Sequence, residues 1–331
     1  GNLHYWAKFV ENAIHNLSFG VDIFFLLSGF LITYLLLAEK QKTEGISIYR
    51  FYMRRLLRIW PLYFLTLSLA PLLAYFFQEP MPVNFLPHLF FVGNFEIITN
   101  GFSSAATNHL WSICIEEHFY FVFPLLFIFI PQRLLPPTLW AVIFIGFCYR
   151  GLIVGTEGYW MKMYLNTLSR MDVLAIGCLA GYYFYHGHLT FKHSKWLLTA
   201  LLAFFILLFS NDVYVYWDNY FLAAAKKFVY VGIAGILIGN LLFNPNIKFM
   251  PQKKGIWHYL GKVSYGIYMF NPIAVGVFVK LFHLKGWHDG ITFFIGVNLL
   301  VLILVVFSFE FFEKPFLKLK ERFSVVKTRN Y

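Results

Sequence analysis

Charge is what this sequence has least of. Only 13% of its 331 residues are Asp, Glu, Lys or Arg, and only 16 of those are acidic, against about a quarter charged in soluble globular domains. That scarcity excludes an ordinary soluble fold. It also excludes intrinsic disorder, whose signature is low hydrophobicity with high net charge. Cysteine is scarce too. Cys114, Cys148 and Cys178 sit singly inside apolar runs without metal-ligand spacing, so no disulfide framework and no metal site are expected, and all three thiols are expected to be buried and unreactive. The opening residues, GNLHYWAKFVENAIHN, lack an initiator Met and the basic and apolar regions of a signal peptide, which predicts a chain that begins inside a longer protein. No inverted repeat is visible, which disfavours the commonest secondary-transporter designs.

What fills the chain is apolar: 59% hydrophobic residues, 21% aromatic. Lipid offers a backbone no hydrogen-bond partners, and the runs are too long and too uniform for barrel strands, so they read as transmembrane helices of about 20 residues. The fold class expected is all-α, a polytopic bundle with nine spans at 17–38, 59–77, 108–131, 137–155, 169–187, 196–210, 225–243, 264–283 and 290–312. A further apolar stretch, 84–98, is short and contains Pro87, His88 and Glu96, and reads as an interfacial or re-entrant segment.

With that segment not crossing, the loops 39–58, 132–136, 188–195 and 244–263 and the tail 313–331 share one side and hold nineteen of the 27 Lys and Arg. The positive-inside rule then puts residues 1–16 outside and the C-terminus in the cytoplasm. The net charge of +11 is accounted for by these loops and calls for no nucleic-acid partner; the partner it implies is the lipid bilayer. An outside N-terminus predicts one more helix ahead of Gly1, ten in all.

Ionisable groups within spans are costly, about 2.5–3.5 kcal/mol each at a helix centre, and tend to face a cavity or a partner. Asp22 lies about one turn inside its span, as a functional carboxylate or as a helix-end group reached by water. Ser28 and Gly29 read as small residues that let helices approach. In FYMRRLLRIWP (51–61), Arg54 and Arg58 are four apart and Arg55 and Arg58 three apart, gathering guanidiniums on one helix face. Such a cluster fits either a polyphosphate or lipid headgroups. In NHLWSICIEEHFYFVFP (108–124), Ser112 and Glu116 share a face, with His109 seven residues before Glu116. A carboxylate and an imidazole in one cavity could polarise a hydroxyl, or this could be a helix end emerging into water. Arg170 begins a span and either pairs with Asp22 and Glu116 in an outer cavity or snorkels. Tyr268 and Asn271, three apart, can face the bundle interior. Glu310 and Glu313 close the last span before a basic tail that reads as an amphipathic anchor.

Taken in order, GVDIFFLLSGFLIT (20–33), FYMRRLLRIWPLYF (51–64), HLWSICIEEHFYFVFP (109–124), SRMDVLAIGCLAG (169–181), LGKVSYGIYMFNP (260–272) and FFEKPFLKL (311–319) resemble the integral-membrane acyltransferase 3 family, which includes O-acetyltransferases of O-antigen and peptidoglycan. The resemblance runs through essentially the whole chain. It implies a single membrane domain over 1–331, truncated at its N-terminus, in a bacterial cytoplasmic (inner) membrane. The implied activity passes an acyl group, usually acetyl, from cytoplasmic acyl-CoA (acetyl-CoA) to a hydroxyl of an extracytoplasmic glycan or lipid-linked saccharide. Arg55 and Arg58 match the family's RxxR motif, with Arg54 beside them, as donor-binding residues. Trp111, Ser112 and Glu116 match its W-S-x-x-x-E pattern and, with Asp22 and His109, are the catalytic candidates. Arg170, Tyr268 and Asn271 are candidates for the acceptor; Asn271 departs from the His many relatives carry there and can only hydrogen-bond. The family's essential His is expected upstream of Gly1, with His15 or His4 as lesser candidates. The rival reading is a transporter or glycan flippase without acyl chemistry.

Overall fold

A computed structural model of the chain describes residues 18–77, 85–102, 105–211, 220–247, 255–286 and 289–325. His4 and His15 lie outside the described residues. Within them every regular element is helical. In chain order these are α1 (Phe19–Thr43), α2 (Ile48–Phe77), α3 (Leu86–Leu89), α4 (Gly93–Asn100), α5 (Ala105–Asn108), α6 (Trp111–Phe129), α7 (Leu135–Ile153), α8 (Tyr159–Leu165), α9 (Thr167–Tyr185), α10 (Lys195–Asn211), α11 (Tyr220–Phe243), α12 (Ile256–Lys285), α13 (Gly290–Ser308) and α14 (Lys314–Glu321). A π-helical turn, Phe309–Glu313, joins the last two.

Each of the nine predicted spans coincides with a helix, but six helical stretches among the described residues are long and apolar enough to cross a membrane: Phe19–Thr43, Ile48–Phe76, Trp111–Phe129, Gln132–Ile153, Ile256–Lys285 and Gly290–Glu321. The count of nine is not confirmed. In α10 and α11 the described apolar stretches, Lys195–Leu208 and Lys227–Phe243, are shorter. In α9, Thr167, Ser169, Arg170 and Asp172 crowd the first two turns. The 84–98 stretch is broken into α3 and α4; at 1.5 Å per residue the longer reaches about 12 Å, too short for a hydrocarbon core of about 30 Å.

The chain divides into two compact units, Gly1–Gly45 with Leu126–Met250, and Ile46–Leu125 with Pro251–Tyr331. The first is organised by the contact of α1 with α9, and glycine makes it close. A Cβ on Gly177 would stand 2.1 Å from the Leu26 carbonyl oxygen, one on Gly29 2.1 Å from that of Leu174, and one on Gly181 2.5 Å from that of Phe30. Backbones therefore touch where side chains would otherwise separate them, the means by which helices associate without a hydrophobic drive. Phe30, Phe184 and Phe243 pack their rings at one end of this contact.

The second unit is built on the long helices α2 and α12, with Pro61 and Pro71 inside α2 and Pro272 inside α12. Thirty residues of α2 reach about 45 Å, so the helix has several turns beyond a hydrocarbon core. Trp60, Tyr63 and Phe64 on α2 pack around Phe91, which follows α3. The Tyr63 hydroxyl donates to the His88 carbonyl at 2.7 Å, pinning the α3 turn to α2. The His88 ring is buried against Gly93, and burial pushes its imidazole down to about 4, so the ring is neutral.

Candidate active site

In the second unit α2 and α6 run antiparallel, as their pairings show: Tyr52 with Phe121, Arg55 with Tyr120, Trp60 with Glu117 and Tyr63 with Cys114. The three arginines of α2 divide their tasks by helical angle. Arg55 turns towards α6, its guanidinium carbon 5.0 Å from the centroid of the Tyr120 ring and 5.8 Å from that of Phe51. Planar guanidinium is suited to such aromatic faces, which attract it without forming a directional bond. Arg54 takes another face and donates from Nη1 to the Phe323 carbonyl at 2.8 Å. Arg58, one turn beyond Arg54, is exposed.

The polar face of α6 carries Ser112, Glu116 and Tyr120 at four-residue intervals. The Tyr120 hydroxyl donates to Glu116 Oε2 at 3.1 Å. Glu117 turns about 100° away, and its Oε2 accepts from Trp60 Nε1 at 3.1 Å while Oε1 is buried without a hydrogen-bond partner. Tyr52, Arg55, Leu56, Trp60, Glu117, Tyr120 and Phe121 together line a cavity of about 240 Å³.

Two turns towards the N-terminus of α6 lies a second polar group. The Tyr268 hydroxyl of α12 donates to the His109 carbonyl at 2.6 Å and stands 2.5 Å from Ser112 Oγ. Ser112 Oγ also reaches the His109 carbonyl, at 3.5 Å, so the two hydroxyls share one acceptor. The His109 ring packs edge-on to Tyr268, centroids 5.6 Å apart. His109 lies in the turn before α6 rather than on its face, since the helix begins at Trp111. Trp111 is buried. Asn271 is exposed, whereas Tyr268 is half-buried.

Arg55 and Glu117 share a cavity wall, and Glu116 is one hydroxyl removed from the ring that Arg55 covers. The helix α2 begins at Ile48, so Arg55 lies two turns inside it.

Asp22 and Arg170 belong to the first unit and pair there. Arg170 Nη1 reaches both Asp22 carboxylate oxygens, at 2.9 and 3.0 Å, while Nε donates to the Tyr164 carbonyl at 2.8 Å and the guanidinium covers the Tyr164 ring. Both side chains are almost fully buried, so Arg170 does not snorkel. Beside them Asp172 pairs with Arg150 at 2.6 Å and Lys227 at 3.0 Å, all three buried.

Sequence reasoning missed Tyr120, Trp60, Lys320 and the pairing of Asp172 with Arg150 and Lys227. For Tyr120 a signal existed, its spacing of four from Glu116. For Lys320, whose ammonium is within electrostatic reach of Arg55 and Arg58, and for Lys227, pairing depends on packing between distant segments. Cys114 and Cys178 are buried as expected, but Cys148 is exposed, because it lies on the outward face of α7. Glu313 is buried, its Oε1 accepting from Ser308 at 3.2 Å and lying over Gly266 of α12; it is a packed glutamate inside unit two. Among the described residues no three His, Cys, Asp or Glu side chains are grouped to hold a metal ion.

Residues 3–310 match a family described as an acyltransferase domain, acyltransferase 3. The chain is similar to O-acetyltransferase OatA of Staphylococcus aureus strains NCTC 8325 and MRSA252, 27% identical over 325 residues in each case, covering 90% of this chain and 52% of the relative. It thus spans about half the length of those relatives. No solved structure matches it.

Proposed function

The chain belongs to the acyltransferase 3 family, and from that premise we propose that it is a membrane O-acyltransferase that moves an acetyl group from acetyl-CoA to a hydroxyl of an extracytoplasmic glycan. The observation that carries the reading is the one polar path along α6: a guanidinium cluster at Arg55 and Arg58, then Tyr120, Glu116 and Glu117, then Ser112, Tyr268 and His109. From Tyr120 to Ser112 is about 12 Å along the helix, a span for an extended donor with phosphates at one end and a thioester at the other. The name of the relatives supports acetyl as the group moved.

In this reading the phosphates of CoA lie at Arg55 and Arg58, where planar guanidinium pairs with phosphate oxygens, and Arg54 holds the adjoining segment through Phe323. The acceptor hydroxyl attacks the thioester carbonyl; the C–O bond forms, the C–S bond breaks, and the hydroxyl proton passes to the protein while the CoA thiolate takes one up. Acid–base chemistry falls to His109 and Glu116, with Ser112 and Tyr268 as oriented hydrogen-bonding groups and Trp111 as a buried wall. Asp22 and Arg170 form a mutually neutralised pair within the first unit, and in the second unit Asn271 offers an exposed amide to the saccharide. The loops rich in Lys and Arg and the C-terminus face the cytoplasm of a bacterial inner membrane.

The test is transfer from radiolabelled acetyl-CoA to a glycan oligosaccharide by the chain in nanodiscs. Arg55→Ala and Arg58→Ala should each raise the KM for acetyl-CoA about tenfold or more, the loss of one charge-assisted contact. Unchanged KM in both rejects the donor assignment, and glycan flux without acyl transfer identifies a transporter.

A further inference from the structure

We propose that Lys320, on the C-terminal helix α14, binds a phosphate group of the donor beside Arg55 and Arg58. This rests on the acyl-CoA reading above and adds a residue that the basic tail, read as a membrane anchor, did not single out.

The turn that carries Lys320 is fixed to the arginine helix. Arg54 Nη1 donates to the Phe323 carbonyl at 2.8 Å, Phe323 N donates back to the Lys320 carbonyl at 3.1 Å, and the Phe323 ring packs edge-on against Tyr49 at 5.9 Å. Arg58 stands one helical turn from Arg54 on the same face, and the Lys320 ammonium is within electrostatic reach of both Arg55 and Arg58. Arg55 and Arg58 of α2 and Lys320 of α14 are therefore cations within electrostatic reach of one another, with Arg54 holding the turn in place. The carboxylates within electrostatic reach are Glu116, towards Arg55, and Glu321, towards Lys320.

Like charges repel, and because a backbone hydrogen bond and a ring contact hold the Lys320 turn beside these arginines, an anion bound among them would relieve that repulsion. The cluster is open to that anion: Arg58 is exposed, and Arg54 and Lys320 are half-buried. Its chemistry combines forks that grip phosphate oxygens in pairs with one ammonium that serves any oxygen within reach. A single phosphate does not need so many cations. A group with several phosphates does, such as the pyrophosphate and ribose phosphate of CoA. A phosphate headgroup of the inner leaflet offers the same atom type from a second source.

The two sources separate experimentally. The chain in phosphatidylcholine nanodiscs should bind CoA calorimetrically, with Lys320→Gln raising Kd about tenfold and Lys318→Gln, exposed on the same helix, leaving it unchanged. In the wild-type chain CoA should protect Lys320, and not Lys318, from an amine-reactive ester read by mass spectrometry, a measurement that needs no variant to fold. If phosphatidylglycerol alone protects Lys320, CoA adds nothing, and Lys320→Gln leaves the CoA Kd unchanged, the residue serves lipid and the proposal is overturned. If Arg55→Ala weakens CoA and Lys320→Gln does not, this inference falls while the donor reading stands. If the wild-type chain binds no CoA, both fall.

Discussion

Asp172 shows how much one carboxylate can hold. It lies between Arg150 and Lys227, and the Ser169 carbonyl accepts from both cations, at 2.7 and 3.2 Å. Replacing a buried pair with apolar groups can be neutral, but removing one partner strands the other charge at about 3–5 kcal/mol. Asp172→Asn strands two cations, so a fall in thermal midpoint large enough to compromise folding in detergent is expected. Lys227→Met, which leaves Arg150 and Asp172 paired, should cost less. A midpoint for Asp172→Asn within a degree or two of wild type would show that the network contributes nothing to stability. At this scale the sequence is only partly legible. Arg54, Arg55, Arg58, Ser112 and Glu116 stand out because helical spacing groups them within one segment. The partner of each depends on side chains 57 residues away, as for Trp60 and Glu117, or 148, as for Asp22 and Arg170, and no local pattern encodes those.

Among elements, the α1–α9 contact carries the clearest expectation. Gly177→Ala puts a methyl 2.1 Å from the Leu26 carbonyl oxygen, where neither backbone can yield without moving a helix. Such overpacking costs about 1–3 kcal/mol. Gly232, on α11, has nothing within 4 Å of its added Cβ, so Gly232→Ala should be neutral or gain up to about 1 kcal/mol of helix propensity. Thermal unfolding of the two variants side by side checks this, and equal midpoints would refute close packing as the reason for Gly177. Apolar runs located helices at each of the nine expected spans, because a bilayer imposes length and composition together, but six helical stretches among the described residues are long and apolar enough to cross one. They put the span in α2 at 59–77, whereas the helix itself begins at Ile48, and gave no sign of the π-helical turn after α13, whose extra residue leaves the composition unchanged.

For the whole chain the open quantity is orientation, and charge asymmetry supplies the expectation. In a background with the three native cysteines replaced, Glu157→Cys, in the α7–α8 loop, should react with an impermeant maleimide on intact cells. Lys192→Cys, in the α9–α10 loop, should react only after permeabilisation. Both side chains are exposed, so access is decided by the membrane alone. The reverse pattern would invert the direction of transfer proposed above. The cavity shared by Arg55 of α2 and Glu117 of α6 brings a guanidinium and a carboxylate together where these two helices meet.

The π-helical turn at Phe309–Glu313 makes the join to α14 sensitive to winding. Its wider turn absorbs one extra residue, so a substitution that tightened it into ordinary helix without removing that residue would rotate everything after it by about 100°, carrying Lys320 off the side shared with Arg54 and Arg58. A missense change there would thus leave charge and span length almost untouched while dismantling the basic cluster, whereas deleting one residue together with the bulge would keep the phase of α14.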